Sequence, residues 1–179
     1  MTVPDGGASA TVSARPRVVL VGPMGAGKTT VGAELAARWQ VELRDTDADV
    51  EAVAGKPVAD IFVDDGEAVF RELERVAVAR AIAEHAGVVA VGGGAVMADA
   101  TRAALAGHRV VFLDVSLSDA AARVGLGTTR PMLLGNVRGQ LKALLDARRP
   151  LYDEVAVIRV ATDGKTVAEV ADEVEKALA

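Results

Sequence analysis

The chain has 179 residues, a formal net charge of −5 and no cysteine; 51% of its residues are apolar but only 3% are aromatic. These values exclude a disulfide framework, a thiolate metal site and a cysteine nucleophile. They also speak against a broad nucleic-acid surface, because phosphate-backbone binders carry a basic excess. With no run of about 18 apolar residues, no transmembrane helix is expected. The length suits one domain with a core of Val, Leu, Ile and Ala, the usual texture of an α/β protein. Met1 to Ala14 lacks the apolar stretch of a secretory signal and reads as a disordered tail. The expected organisation is a tail over 1–15 and one domain over 16–179, in the cytoplasm.

Val18 to Val21 reads as a first strand, followed by the glycine-rich run Gly22 to Thr29. The helix from there to Trp39 keeps Val31, Leu35 and Ala36 on one face, with Trp39 packing at its end. Val41 to Arg44 is a short second strand ending at Asp45. A helix begins near Thr46, and Gly55-Lys56-Pro57 closes it with glycine then proline. Pro57 to Phe62 reads as a short helix and Asp64-Asp65-Gly66 as a turn. Glu67 to His85 is a long helix with Phe70, Leu73, Ala77 and Ile82 near one side. Val88 to Val91 is the third strand, stopped by Gly92-Gly93-Gly94. Ala98 to Ala106 is helical, and Arg109 to Leu113 is the fourth strand. Asp119 to Val124 starts a short helix, and Gly125 to Gly135 reads as a mobile surface loop around Arg130-Pro131. Asn136 to Tyr152 is helical with an end expected at Pro150, and Val155 to Val160 is the fifth strand. Val167, Val170, Val174 and Leu178 mark a final amphipathic helix. Five strands separated by helices predict a parallel sheet covered on both faces, with ligands at the carboxyl ends of its strands. His85 and His108 read as surface or capping residues.

Gly22-Pro23-Met24-Gly25-Ala26-Gly27-Lys28-Thr29 fits G-x-x-x-x-G-K-[ST] between a strand and a helix. Backbone N–H groups over Gly25, Ala26, Gly27, Lys28, Thr29 and Thr30 would wrap phosphates, Lys28 would reach the β/γ oxygens, and the Thr29 hydroxyl would ligate Mg²⁺. No Asn-Lys-x-Asp pattern for guanine is present, so ATP is the expected nucleotide. Asp45 and Asp47 sit two apart at a strand end. One carboxylate can hold Mg²⁺ through water while the other accepts a hydrogen bond from an attacking hydroxyl. A helix N-cap at Asp45 or Thr46 explains the same residues. Arg71 and Arg148, each alone, read as solvated arginines; together they would clamp a substrate carboxylate, but spacing does not show that they converge. The triple glycine implies either close approach of a ligand or simply a sharp loop. Arg130 could close over the γ-phosphate and Arg123 reach the nucleotide from the other side, or both are loop arginines in solvent.

This ordered set resembles the shikimate kinase family from about Arg17 to the last helix. It comprises the phosphate loop, Asp45-Thr46-Asp47, Ile61-Phe62, Gly66-Glu67, Phe70-Arg71-x-x-Glu74, Gly92-Gly93-Gly94-Ala95, Arg130-Pro131 and Arg148-x-Pro150-Leu151-Tyr152. The resemblance implies a nucleoside-monophosphate-kinase-like α/β fold with five parallel strands and a mobile lid at about 123–135. It implies ATP-dependent phosphorylation of the 3-hydroxyl of shikimate in aromatic amino-acid biosynthesis, with one Mg²⁺ ion. Carried over by position, Asp47, Arg71, Gly92, Gly93, Gly94 and Arg148 would form the shikimate side, with Glu74 orienting Arg71 or Arg148. Lys28 and Thr29 would hold ATP and Mg²⁺, Asp45 would reach the metal through water, and Asp47, Lys28 and Arg130 would carry the chemistry. Arg123 and Arg130 resemble the nucleotide-side and lid arginines, and Asp163-Gly164 the loop that touches adenine. A monomer acting on small molecules, without nucleic acid or membrane, is expected.

Three positions depart from the family pattern: Arg44 where an apolar residue is usual, exposing the end of strand two; Met132 for a leucine; and Thr29 for a serine. Another small-metabolite P-loop kinase, such as a gluconate kinase, is the rival enzyme. A non-catalytic nucleotide-binding module is the rival of another class; loss of Lys28, Asp47 or Arg130 would have favoured it, and all three are present.

Overall fold

The structure, a computed structural model, describes residues 14–124 and 136–179. Most of the expected tail and most of the expected lid, with Arg130 and Met132, lie outside the described residues. Five strands form one sheet: β1 (Val18–Val21), β2 (Leu43–Asp45), β3 (Val88–Ala90), β4 (Val110–Asp114) and β5 (Ile158–Ala161). They run in the order β2-β3-β1-β4-β5, every pair parallel, with Val19 in register with Val89 on one side and Val110 on the other. Among the described residues, eight α-helices accompany them: α1 (Lys28–Trp39), α2 (Thr46–Ala54), α3 (Val58–Asp64), α4 (Glu67–Glu84), α5 (Asp99–Leu105), α6 (Leu117–Arg123), α7 (Val137–Val155) and, after the last strand, α8 (Val167–Leu178). No helix among the described residues is long and apolar enough to cross a membrane.

The central strand shows why the residues choose this arrangement. All four residues of β1 are buried, as expected for a parallel strand covered on both faces. Because side chains alternate, Val18 and Leu20 enter one core with Leu35, Val111, Leu113 and Val174, while Val19 and Val21 enter the other with Val78, Val89, Phe112 and Tyr152. A smaller cluster of Val50, Ile61, Phe70 and Ala77 joins α2, α3 and α4 to each other. The chain leaves β1 toward one edge and returns on the other side at β4. The end of β1 is therefore the switch point of the sheet, where ligands bind in such folds.

α1 and α8 are tied together outside the core. Arg38 pairs with Asp172 at 2.6 Å and Glu175 at 2.9 Å, and the Trp39 indole donates to Glu175 at 2.7 Å. Trp39 thus sits at the end of the first helix as expected, with the Arg17 guanidinium 4.4 Å over its ring.

Several boundaries differ from those expected. Pro150 does not end α7, which continues to Val155 and delays β5 to Ile158. Proline removes one helical hydrogen bond, but buried Leu141 and Leu145 before it and Tyr152 after it pin the helix on both sides. Asp64 belongs to α3, which leaves a tighter turn at Asp65 and Gly66, the latter at φ 87°. α6 begins two residues before Asp119 because the Ser116 hydroxyl caps it, accepting from the Asp119 N–H.

Candidate active site

The phosphate loop joins β1 to α1 in a shape that only glycine permits. Gly22, Gly25 and Gly27 have φ of 148°, 81° and 86°, and a β-carbon on Gly22 would stand 2.5 Å from the Leu113 carbonyl oxygen. α1 opens on Gly27 with no side-chain cap and no acidic residue in its first turn. Its first N–H groups and the positive end of its dipole are left for an anion. Lys28 arches back over the loop, its Nζ donating to the carbonyls of Gly22 at 2.7 Å and Pro23 at 3.1 Å. Burial lowers its pKa to about 8, against the opposing pull of Asp47 and Asp45. The loop borders a cavity of about 440 Å³ at the carboxyl ends of the strands, reached also by Thr29, Asp45, Asp47 and Arg123.

Asp45 caps α2 and also meets Thr29. One carboxylate oxygen caps α2 by accepting from the Asp47 N–H at 2.9 Å, and the other accepts from the Thr29 hydroxyl at 2.7 Å. A hydroxyl and a carboxylate oxygen form a hard donor set that suits Mg²⁺. No cluster of three or more candidate ligands occurs among the described residues. The set therefore fits an ion shared with nucleotide phosphates and water, not one caged by protein alone.

The triple glycine follows β3 and meets the acidic and basic residues of the cleft. A β-carbon on Gly92 would lie 2.6 Å from Asp47 Oδ1 and 2.7 Å from Glu74 Oε1, and one on Gly94 would run into the Arg71 guanidinium. At Gly92 and Gly94 the bare backbone lets these side-chain ends come close, and a β-carbon there would push them aside. Asp47 is largely withdrawn from water, and burial followed by the neighbouring Asp45 charge raises its pKa; Lys28 and Arg71 oppose this. Arg71 pairs with Glu74 at 2.7 Å and reaches Glu67 at 3.3 Å, its guanidinium 5.2 Å and 5.9 Å from the Phe70 and Phe62 rings. Arg148 of α7 lies near enough to act electrostatically on Lys28, on Glu74 and on the Tyr152 hydroxyl. The two arginines, 77 positions apart in the chain, thus converge around Glu74.

Arg123 holds the other end of the cleft. It donates to the carbonyls of Gly25 at 3.0 Å and Thr162 at 2.9 Å and to the Thr162 hydroxyl at 3.1 Å, fastening the phosphate loop to the segment after β5. A second cavity of about 200 Å³ opens there, lined by Gly27, Thr30, Arg123, Thr162, Lys165 and Val167. Asp163 accepts from the Ser116 N–H at 2.9 Å, bracing that segment. Arg44 folds onto Asp49 at 2.7 Å and Glu84 at 3.3 Å, so the end of β2 stays half-buried and is not laid open.

The sequence offered no role for Tyr152 or Thr162, and for Thr46 only a helix cap, a place that Asp45 takes. Thr46 is fully buried and accepts from the Gly92 N–H at 3.0 Å; the Tyr152 hydroxyl donates to the Gly93 carbonyl at 2.5 Å. Their only signal was a place inside quoted motifs, Thr46 between two aspartates and Tyr152 at the end of Arg148-x-Pro150-Leu151-Tyr152.

A phosphate loop at the switch point of a five-stranded parallel sheet, facing a carboxylate and two convergent arginines, defines a P-loop kinase of small acidic molecules. A family model described as shikimate kinase matches residues 24–179. The chain is 58% identical to a shikimate kinase of Thermobifida fusca over 167 residues, 93% of this chain and 97% of that one. It is 60% identical to one from Salinispora arenicola over 164 residues, 92% and 98% of the two chains. A structure of shikimate kinase from Acinetobacter baumannii in complex with shikimate superposes with a TM-score of 0.84 at 34% identity, covering 92% of this chain and 93% of that one. A gluconokinase from Sinorhizobium meliloti, 22% identical with a TM-score of 0.57, shares the fold. The chain belongs to the shikimate kinase family.

Proposed function

We infer that the enzyme transfers the γ-phosphoryl group of ATP to the 3-hydroxyl of shikimate, giving shikimate 3-phosphate and ADP in aromatic amino-acid biosynthesis. Membership of the family carries the reaction. The observation that supports the acceptor assignment is the close approach of Asp47, Glu74 and Arg71 to the bare glycine turn, with Arg148 near enough to act on Glu74 and on Lys28.

Phosphoryl transfer proceeds through a loose transition state, so positioning and charge neutralisation outweigh base strength. The two guanidinium groups offer planar, two-point contacts to a carboxylate, which orients the acceptor ring. Asp47 then accepts a hydrogen bond from the attacking hydroxyl and takes its proton late in the transfer. Its raised pKa keeps it able to receive that proton. Lys28, held over the loop by two carbonyls, is placed to swing onto the β/γ oxygens. Thr29 would hold one Mg²⁺ and Asp45 would reach it through water, and the ion would neutralise charge on the phosphate oxygens. Arg123 fits the nucleotide side, and Gly25 to Thr30 the phosphates. Arg130 completes the reading as the residue that offsets charge over the γ-phosphate. The enzyme is read as a cytoplasmic protein, in keeping with a sequence without cysteine, and as a monomer.

Product analysis tests the reading. Incubation with ATP, Mg²⁺ and shikimate should yield one new phosphate ester whose phosphorus couples, by NMR, to the proton on C3 of the ring. Coupling to another ring proton, or no ester, would overturn the acceptor assignment.

A further inference from the structure

Three consecutive glycines lose more conformational freedom on ordering than any other tripeptide and have no side chains to hold them. The turn at Gly92–Gly94 must nevertheless keep one shape, because Asp47, Glu74 and Arg71 all crowd against it. Two hydroxyl groups from distant elements grip its backbone. The Gly92 N–H donates to the Thr46 hydroxyl of α2 at 3.0 Å, and the Gly93 carbonyl accepts from Tyr152 of α7 at 2.5 Å. Neither hydroxyl has freedom of its own. Thr46 is fully buried, and Tyr152 is 1% exposed with its ring 5.0 Å from that of Phe112.

Tyr152 lies one helical turn beyond Arg148, on the same face of α7. Arg148 is near enough to the hydroxyl that holds Gly93 to act on it electrostatically. Gly93 also packs on the phosphate loop, with the Gly22 oxygen and Met24 nitrogen 3.4 Å from where its β-carbon would be. One phenol therefore joins an acceptor-side arginine, the glycine turn and, through that turn, the donor loop. Burial pushes its pKa up to about 12, so it remains a hydrogen-bond donor throughout the working range of pH.

We propose that Tyr152 and Thr46 are positioning residues for the phosphoryl transfer: their hydroxyls clamp the Gly92–Gly93 turn from opposite sides and, through Tyr152, set Arg148 for the acceptor carboxylate. The inference rests on the reading of Arg71, Arg148 and the glycine turn as the acceptor side.

Steady-state kinetics of the full chain with shikimate and ATP, beside thermal unfolding, test it on Tyr152→Phe, Thr46→Val and Thr46→Ser, with Arg71→Lys as the marker of the acceptor site. Tyr152→Phe and Thr46→Val should each raise the KM for shikimate about tenfold, while the KM for ATP stays within about twofold of wild type. Thr46→Ser, which keeps the hydroxyl, should restore the wild-type KM. A lowered Tm in Tyr152→Phe and Thr46→Val with an unchanged KM for shikimate would mean a merely structural bond and overturn the proposal. An equal rise in both KM values would overturn it as well. If Arg71→Lys too leaves the KM for shikimate unchanged, the acceptor-side reading itself fails. A shift in Arg71→Lys alone sinks only the clamp.

Discussion

Glu74 is 3% exposed, and burial raises its pKa even though Arg71 pairs with it at 2.7 Å. Desolvation outweighs the ion pair, so the charged carboxylate destabilises the fold at neutral pH. The sign follows from linkage. An acid whose pKa is higher folded than unfolded imposes its full cost above the folded value, and the cost vanishes below the unfolded value. Glu74→Gln should therefore unfold at the same or a higher temperature than wild type at pH 7, and this advantage should shrink as the pH falls through the glutamate range. The same variant should bind shikimate less tightly, because a neutral amide orients Arg71 more weakly. Unfolding midpoints at several pH values, with shikimate titrations, check both halves. The identity of such residues was readable from Phe70-Arg71-x-x-Glu74, but their electrostatic state was not. Burial depends on α2, α4 and the glycine turn closing together, which no local pattern encodes.

At the scale of elements, the strands were the most legible, because short Val-rich runs bounded by glycine or charge have few alternatives in an α/β chain. The phosphate loop was legible for the same reason that it works: Gly22, Gly25 and Gly27 occupy backbone conformations that other residues rarely adopt. α7 shows where local rules fail. Proline marks a helix end when nothing opposes it, yet here core contacts on both sides of Pro150 carry the helix to Val155. That continuation keeps Arg148 and Tyr152 on one helical face. α8 offers an independent test of element stability. The Thr166 hydroxyl accepts from the Glu169 N–H while the Glu169 carboxylate accepts from the Thr166 N–H, a reciprocal capping box. Thr166→Ala should cost about 1 kcal/mol in chemical denaturation. Because the cap serves α8 and not the acceptor, the KM for shikimate should not change.

For the whole molecule, the parallel sheet followed from alternating strand and helix signals, whereas the order β2-β3-β1-β4-β5 came from the structure. That order sets β1 between β3 and β4, and so places the phosphate loop beside the glycine turn. It also brings Arg71 and Arg148 together from helices on different segments, the step that spacing alone could not supply. The phosphate loop and the glycine turn thereby meet at one end of the sheet, with Asp47 beside both. The central claim is that this cleft transfers phosphate to shikimate and that Asp47 governs the transfer. A coupled ADP-release assay with ATP and Mg²⁺ tests it directly, comparing shikimate, gluconate and no acceptor, for wild type and for Asp47→Asn. ADP release should depend on shikimate and fall about 10²–10⁴-fold in Asp47→Asn while ATP affinity is retained. Equal release without acceptor, preference for gluconate, or near-normal turnover of Asp47→Asn would contradict it.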